Sequence, residues 1–132
     1  MSREILFRGK RTDNGEWIND SETYIRDGDG IWLSDEDLHV VTIRDDTLGL
    51  YTGLTDKNGE KIFEGDIVKY STTCEIFTVA WHGSFAEFVI SELQKPNKAT
   101  RGSKDMYLVN RYCEVIGNIY DNPELLEGEE NE

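Results

Sequence analysis

The stretch from Leu50 to Tyr70 constrains the fold more than any other part of the chain. It reads Leu-Tyr-Thr-Gly-Leu-Thr-Asp-Lys-Asn-Gly-Glu-Lys-Ile-Phe-Glu-Gly-Asp-Ile-Val-Lys-Tyr. Two runs rich in β-branched and aromatic residues flank Asn58-Gly59, and a third follows Gly65. Glycine reaches the positive φ that a tight reversal needs, and asparagine tolerates it at the neighbouring position. The same turn chemistry recurs at Asn14-Gly15, at Asp27-Gly28-Asp29-Gly30 and at His82-Gly83-Ser84. Consecutive hairpins are the expected architecture.

Each turn has apolar runs on both sides that can pair. Ile5-Leu6-Phe7-Arg8 is expected to face Glu16-Trp17-Ile18, and Thr23-Tyr24-Ile25-Arg26 to face Ile31-Trp32-Leu33. Leu50-Tyr51-Thr52 should pair with Lys61-Ile62-Phe63, and the run from Phe77 to Trp81 with that from Phe85 to Ile90. In the last pair Phe77, Val79 and Trp81 alternate with Ile76, Thr78 and Ala80, so one face is core. Gly65 marks a corner or bulge. Helix is scarce: Ser34 is expected to cap a short turn over Asp35-Glu36-Asp37-Leu38, and Asn122-Pro123-Glu124-Leu125-Leu126 to form a short C-terminal helical turn. Residues 91–105 read as a surface loop. The expected fold class is therefore mainly β: small curved, barrel-like sheets built from consecutive hairpins, with a short C-terminal helical turn. One domain is expected over residues 1–126, followed by an acidic tail over 127–132.

A chain of 132 residues is long enough for one core without staples. Its 14 Lys and Arg against 27 Asp and Glu give a net charge of −13, which repels phosphate backbones. Local exceptions are the N-terminal basic cluster of Arg3, Arg8, Lys10 and Arg11 and the segment 95–111. No stretch approaches the roughly 18 apolar residues of a membrane span, and Met1-Ser2-Arg3-Glu4 lacks the layout of a signal peptide, so the protein is expected to stay in the cytoplasm where it is made, without membrane attachment. Cys74 and Cys113 have neither zinc-ligand nor redox-motif spacing. Reduced thiols are expected, with a disulfide between them left open.

Candidate chemistry is thin. Asp27-Gly28-Asp29-Gly30 has alternating acids, yet its glycine comes too early for a calcium loop, and a hairpin turn explains it better. Asp35-Glu36-Asp37 and Asp45-Asp46 offer oxygen ligands but equally suit a solvated surface. His39 and His82 pair neither with each other nor with a cysteine, and Ser84 is only a turn neighbour of His82. No catalytic, cofactor-binding or metal residue is assigned, no cofactor is expected, and the chain is not expected to be an enzyme.

Three blocks, the runs Arg3–Lys10, Tyr51–Val68 and Glu114–Leu126, together resemble the YopX family of phage and prophage proteins. The resemblance implies a mainly β fold with barrel-like curvature, a phage or prophage setting and self-association, and it implies no catalytic residues. In these blocks Asn58-Gly59 is expected as turn, Gly65 as corner, Asn122-Pro123 as helix start, and Ile62, Phe63, Ile67, Val68, Val115, Ile116 and Ile119 as core. With the excess acid and the many aromatics, this points to a homo-oligomeric accessory protein acting through protein–protein binding, with a basic host or phage protein as partner. Two alternatives stay open: a DNA-mimic inhibitor of a host DNA-binding protein, and a nucleic-acid-binding module using the N-terminal basic cluster or the 95–111 loop.

Overall fold

The computed structural model describes residues 4–82, 87–92, 99–100 and 109–126, with side chains over 4–80 and 109–125. Strands dominate, the sheets curl, and the chain ends in a short helical turn, as its turn chemistry predicts. Contacts divide the chain into two compact units, Met1–Gly53 and Leu54–Glu132.

The first unit contains β1 (Phe7–Lys10), β2 (Trp17–Ser21), β3 (Tyr24–Asp27), β4 (Gly30–Ser34), β5 (Val40–Ile43) and the start of β6 (Gly49–Thr55). β1 lies between β2 and β6, and β4 lies between β3 and β5. The β3–β4 hairpin has the expected register, with Ile25 opposite Trp32 and Arg26 opposite Ile31. The first hairpin is shifted from expectation: Gly9 faces Ile18 and Lys10 faces Trp17, with a bulge between Phe7 and Gly9. A Cβ on Gly9 would collide with the Ile43 side chain, so the glycine lets β1 settle against the core. That core is Ile18, Ile31, Leu33 and Ile43, flanked by Phe7, Val41 and Leu48. Each of the four buried side chains contributes about 1.5–3 kcal/mol of burial.

In the second unit β6 leads into β7 (Lys61–Phe63), its neighbour in the sheet. A five-stranded sheet follows, in the order β11-β10-β9-β8-β12, from β8 (Asp66–Tyr70), β9 (Ile76–His82), β10 (Glu87–Glu92), β11 (Ala99–Thr100) and β12 (Cys113–Asn118). β9 and β10 pair from His82–Glu87 to Phe77–Glu92, so Ser91 and Glu92, read as the start of a loop, belong to a strand. The rest of that expected loop, together with the acidic tail, falls outside the described residues except for β11. A helical segment at residues 109–112 had no signal in the sequence.

Gly59 and Gly65 have φ of 88° and 93°, the left-handed conformation expected at the turn and the corner. Ile62, Ile67 and Val68 are fully buried and Phe63 nearly so. Val115 and Ile116 are only half-buried, because β12 is the edge strand of its sheet, and so is Ile119 in the turn that follows. Asn122 also departs from expectation. Its Oδ1 accepts from the Asn118 N–H behind it, at 3.1 Å, rather than capping the helical turn Pro123–Leu126 ahead. A Cβ on Gly117 would occupy the space this amide needs.

A buried carboxylate organises the unit. Asp56 is 3% exposed. Its Oδ1 accepts from the N–H groups of Asn58 at 2.8 Å and Glu60 at 2.9 Å, and its Oδ2 from Val115 N–H at 2.8 Å. The turn and β12 are thereby held by one side chain. Asp56→Ala removes the acceptor of three part-buried hydrogen bonds and is expected to cost about 3 kcal/mol. A urea denaturation midpoint unchanged from the parent protein contradicts this role.

The thiols differ sharply. Cys74 is exposed and Cys113 fully buried, both free. Burial first, and the Asp56 carboxylate second, push Cys113 up from the ordinary 9.0 to about 11. Its folded form therefore holds the proton longer than the unfolded chain does. The stability this lends is fully present below pH 9.0 and is lost as the pH rises through about 11. At pH 8, iodoacetamide is expected to modify Cys74 rapidly and Cys113 only after unfolding; equal labelling of both in the native protein contradicts the burial.

Candidate functional site

The first unit forms a concave surface of about 710 Å³ between β2 and the loop from β4 to β5. That volume is in the range of ligand-binding clefts, roughly 300–1,000 Å³. Among the described residues six carboxylates line it, Glu16, Asp20 and Glu22 on one side and Asp35, Glu36 and Asp37 on the other, with Arg11 as the one basic lining residue. Trp17 and Leu38 supply apolar surface.

Local backbone chemistry builds both walls. The expected cap for the 35–38 turn was Ser34, but its backbone N–H donates to Ser21 Oγ at 3.0 Å and its own hydroxyl lies 3.2 Å from that oxygen. Asp35 takes the capping role. Its Oδ1 accepts from Asp37 N–H at 3.0 Å and His39 N–H at 2.8 Å, while Leu38 N–H donates to the Asp35 carbonyl at 2.9 Å. A tight turn results instead of a helical one. Leu38 is held at φ 67° and is 81% exposed. Asp20, on the facing wall, has φ 58°. Aspartate tolerates this conformation, whereas leucine adopts it at a cost of about 1–3 kcal/mol.

The N-terminal cations are held within this unit. Arg8 is buried with its guanidinium 4.9 Å from the Trp17 ring centre, and Lys10 Nζ lies 5.5 Å from the same centre. Arg11 makes a two-pronged bond to Asp13, at 2.9 Å on each oxygen, and lies 3.8 Å from Asp35. Arg3 lies outside the described residues, as does most of the 95–111 segment.

Of the sequence candidates, Asp35 and Asp37 come together with His39, their ligand-type atoms all within 4.8 Å of one another. His39 Nδ1 is 3.6 Å from Asp35 Oδ2. The sequence pairs His39 with neither His82 nor a cysteine; the Asp-x-Asp-x-His spacing over 35–39 is the signal for this trio. Asp45 and Asp46 open a 3-10 turn and do not join this trio. Asp27-Gly28-Asp29-Gly30 is the β3–β4 turn, in which Asp27 Oδ1 accepts from Asp29 N–H at 2.7 Å. His82 ends β9, and Ser84 lies outside the described residues.

The profile of the YopX protein family matches residues 6–127. The chain belongs to the YopX family. Its fold is similar to the crystal structure of protein EF1440 from Enterococcus faecalis, with a TM-score of 0.61 and 26% identity over 96% of this chain and 100% of that one. No curated protein matches this YopX chain.

Two carboxylates of this YopX protein, Asp35 in the groove wall and Asp13 beside Arg11, have a pH signature. The hydrogen bond from His39 N–H, foremost, holds the Asp35 carboxyl below the ordinary 3.8, and the Arg11 hydrogen bond does the same for Asp13. The support these groups give the folded state is present above pH 3.8 and is lost as the pH falls through their own lower midpoints. In a side-chain carboxyl NMR titration both are expected to titrate below 3.8. A midpoint at or above that value for Asp35 contradicts the turn geometry.

Proposed function

We propose that this YopX protein is a non-enzymatic, self-associating accessory protein of a phage or prophage that binds a basic segment of a protein partner in the host cytoplasm. The observation that carries the reading is the convergence of six carboxylates on one concave surface beside Trp17 and the exposed Leu38. Such a surface attracts lysine and arginine side chains, and Coulomb attraction steers a basic partner toward a chain of net charge −13. Trp17 already holds Arg8 and Lys10 within cation–π distance. Leu38 offers apolar contact at the rim, where a partner's side-chain stems can pack. Nucleic acid is disfavoured as the ligand by the overall charge and by the engagement of Arg8, Lys10 and Arg11 inside the unit.

Calorimetric titration with a defined Arg/Lys-rich octapeptide tests the reading. Binding is expected at low ionic strength, weakening as salt rises. The triple variant Asp20→Asn, Glu36→Gln, Asp37→Asn is expected to lose about tenfold in affinity or more. Absence of binding at low salt, or equal binding by the variant, contradicts it. Gel retention of a DNA probe favours the nucleic-acid-binding alternative, and competition between duplex DNA and this chain for one protein partner favours DNA mimicry.

A further inference from the structure

We propose that β3 pairs with β3 of a second copy, antiparallel and about a two-fold axis through Ile25, extending β3-β4-β5 into a continuous six-stranded sheet. The proposal rests on the self-association part of the function proposed above and names the surface that carries it.

β3 is an edge strand, bonded on one side to β4 and exposed at all four of its residues. The β3–β4 turn has two residues, Gly28 and Asp29, so Asp27 and Gly30 form its hydrogen-bonded pair. Alternation along an antiparallel ladder then makes Ile25 and Trp32 the next such pair. The N–H and C=O groups of Ile25 and Asp27 therefore point into the sheet. Those of Tyr24 and Arg26 point outward, and no described residue bonds to them.

A two-fold axis at Ile25 uses these outward groups in register. Tyr24 of each copy meets Arg26 of the other as a hydrogen-bonded pair, giving about four backbone bonds. Ile25, 43% exposed, meets its own counterpart as a non-hydrogen-bonded pair, where Cα atoms approach to about 4.5 Å. The side chains are self-complementary: each Tyr24 ring stacks on Phe7 with centroids 5.0 Å apart and, 41% exposed in the single copy, offers its other face to an Arg26 guanidinium, while each Asp27 faces Thr23. An axis at Arg26 instead sets two guanidinium groups against each other, and one at Tyr24 runs the ladder off the strand into Glu22 and Thr23. The interface is isologous and closes at two copies on this edge.

The other edge of this small sheet shows the contrast. β5 is bonded along its outer side by Thr12 N–H to Thr42 O at 3.0 Å and Arg44 N–H to Lys10 O at 2.8 Å. The edge strand β2 carries Asp20 in a left-handed conformation, which interrupts extended pairing. Among the described residues β3 has neither protection.

Light scattering on the full chain, together with cysteine cross-linking in a Cys74→Ser background, tests the proposal. Ile25→Cys is expected to form an interchain disulfide under mild oxidation, because the paired Cα atoms lie within disulfide range, whereas Asp27→Cys is displaced four residues from its counterpart and is not. Arg26→Pro removes one outward donor, a change an edge strand accommodates, and is expected to halve the particle mass while leaving the far-ultraviolet circular dichroism unchanged. A parent chain that stays monomeric at 100 µM overturns both this edge and the self-association reading. An oligomer whose Ile25→Cys form does not cross-link, and whose mass is unchanged by Arg26→Pro, overturns the edge alone.

Discussion

A strand leaves half of its backbone polar groups facing sideways, and a mainly β chain must pair them, cover them or leave them to water. That constraint accounts for much of this structure. In the second unit the outer side of β12 is finished by groups from outside the ladder: Asp56 accepts Val115 N–H, and Lys57 N–H donates to Cys113 O. In the first unit Lys10 to Thr12 finish β5. Where a neighbouring strand is missing, a side chain or a loop supplies the partner. For β3 no described residue does so at Tyr24 and Arg26.

The same economy of partners shapes the groove. Asp35 replaces a missing turn of helix with two carboxylate hydrogen bonds, and this brings Asp37 and His39 beside it. The price is a leucine at positive φ with its side chain in solvent. Arg8, Lys10 and Arg11, the cations closest in sequence, have settled on Trp17 and Asp13. The groove is thus left with a surplus of carboxylates.

Much of the fold was legible because its determinants are local. Gly59, Gly65 and the Asp27–Gly30 turn announce themselves through the φ they permit, and the β3–β4 register follows directly from its turn. What the sequence hid depends on partners distant along the chain. The bulge in β1 answers to Ile43, the Asn122 amide answers to Asn118 because Gly117 makes room, and Asp56 reaches Val115 across 59 positions. Ser34 looked like a cap by position, but Ser21 claims its N–H from a strand 13 residues away. β5 was missed because Val40-Val41-Thr42-Ile43 follows a polar turn with no glycine to mark it. Nothing in the spacing of the acids showed that both walls of one groove would gather them.

The central claim is that an unfinished strand edge at β3 is the surface on which this protein meets its own kind. Amide hydrogen exchange at Tyr24 and Arg26, followed as a function of protein concentration, tests it most directly. The account predicts rapid exchange at high dilution and protection that grows with concentration at these two amides, while Ile25 and Asp27, bonded to β4, are protected throughout. Fast exchange at Tyr24 and Arg26 at every concentration, in a protein shown by its mass to be associated, contradicts it.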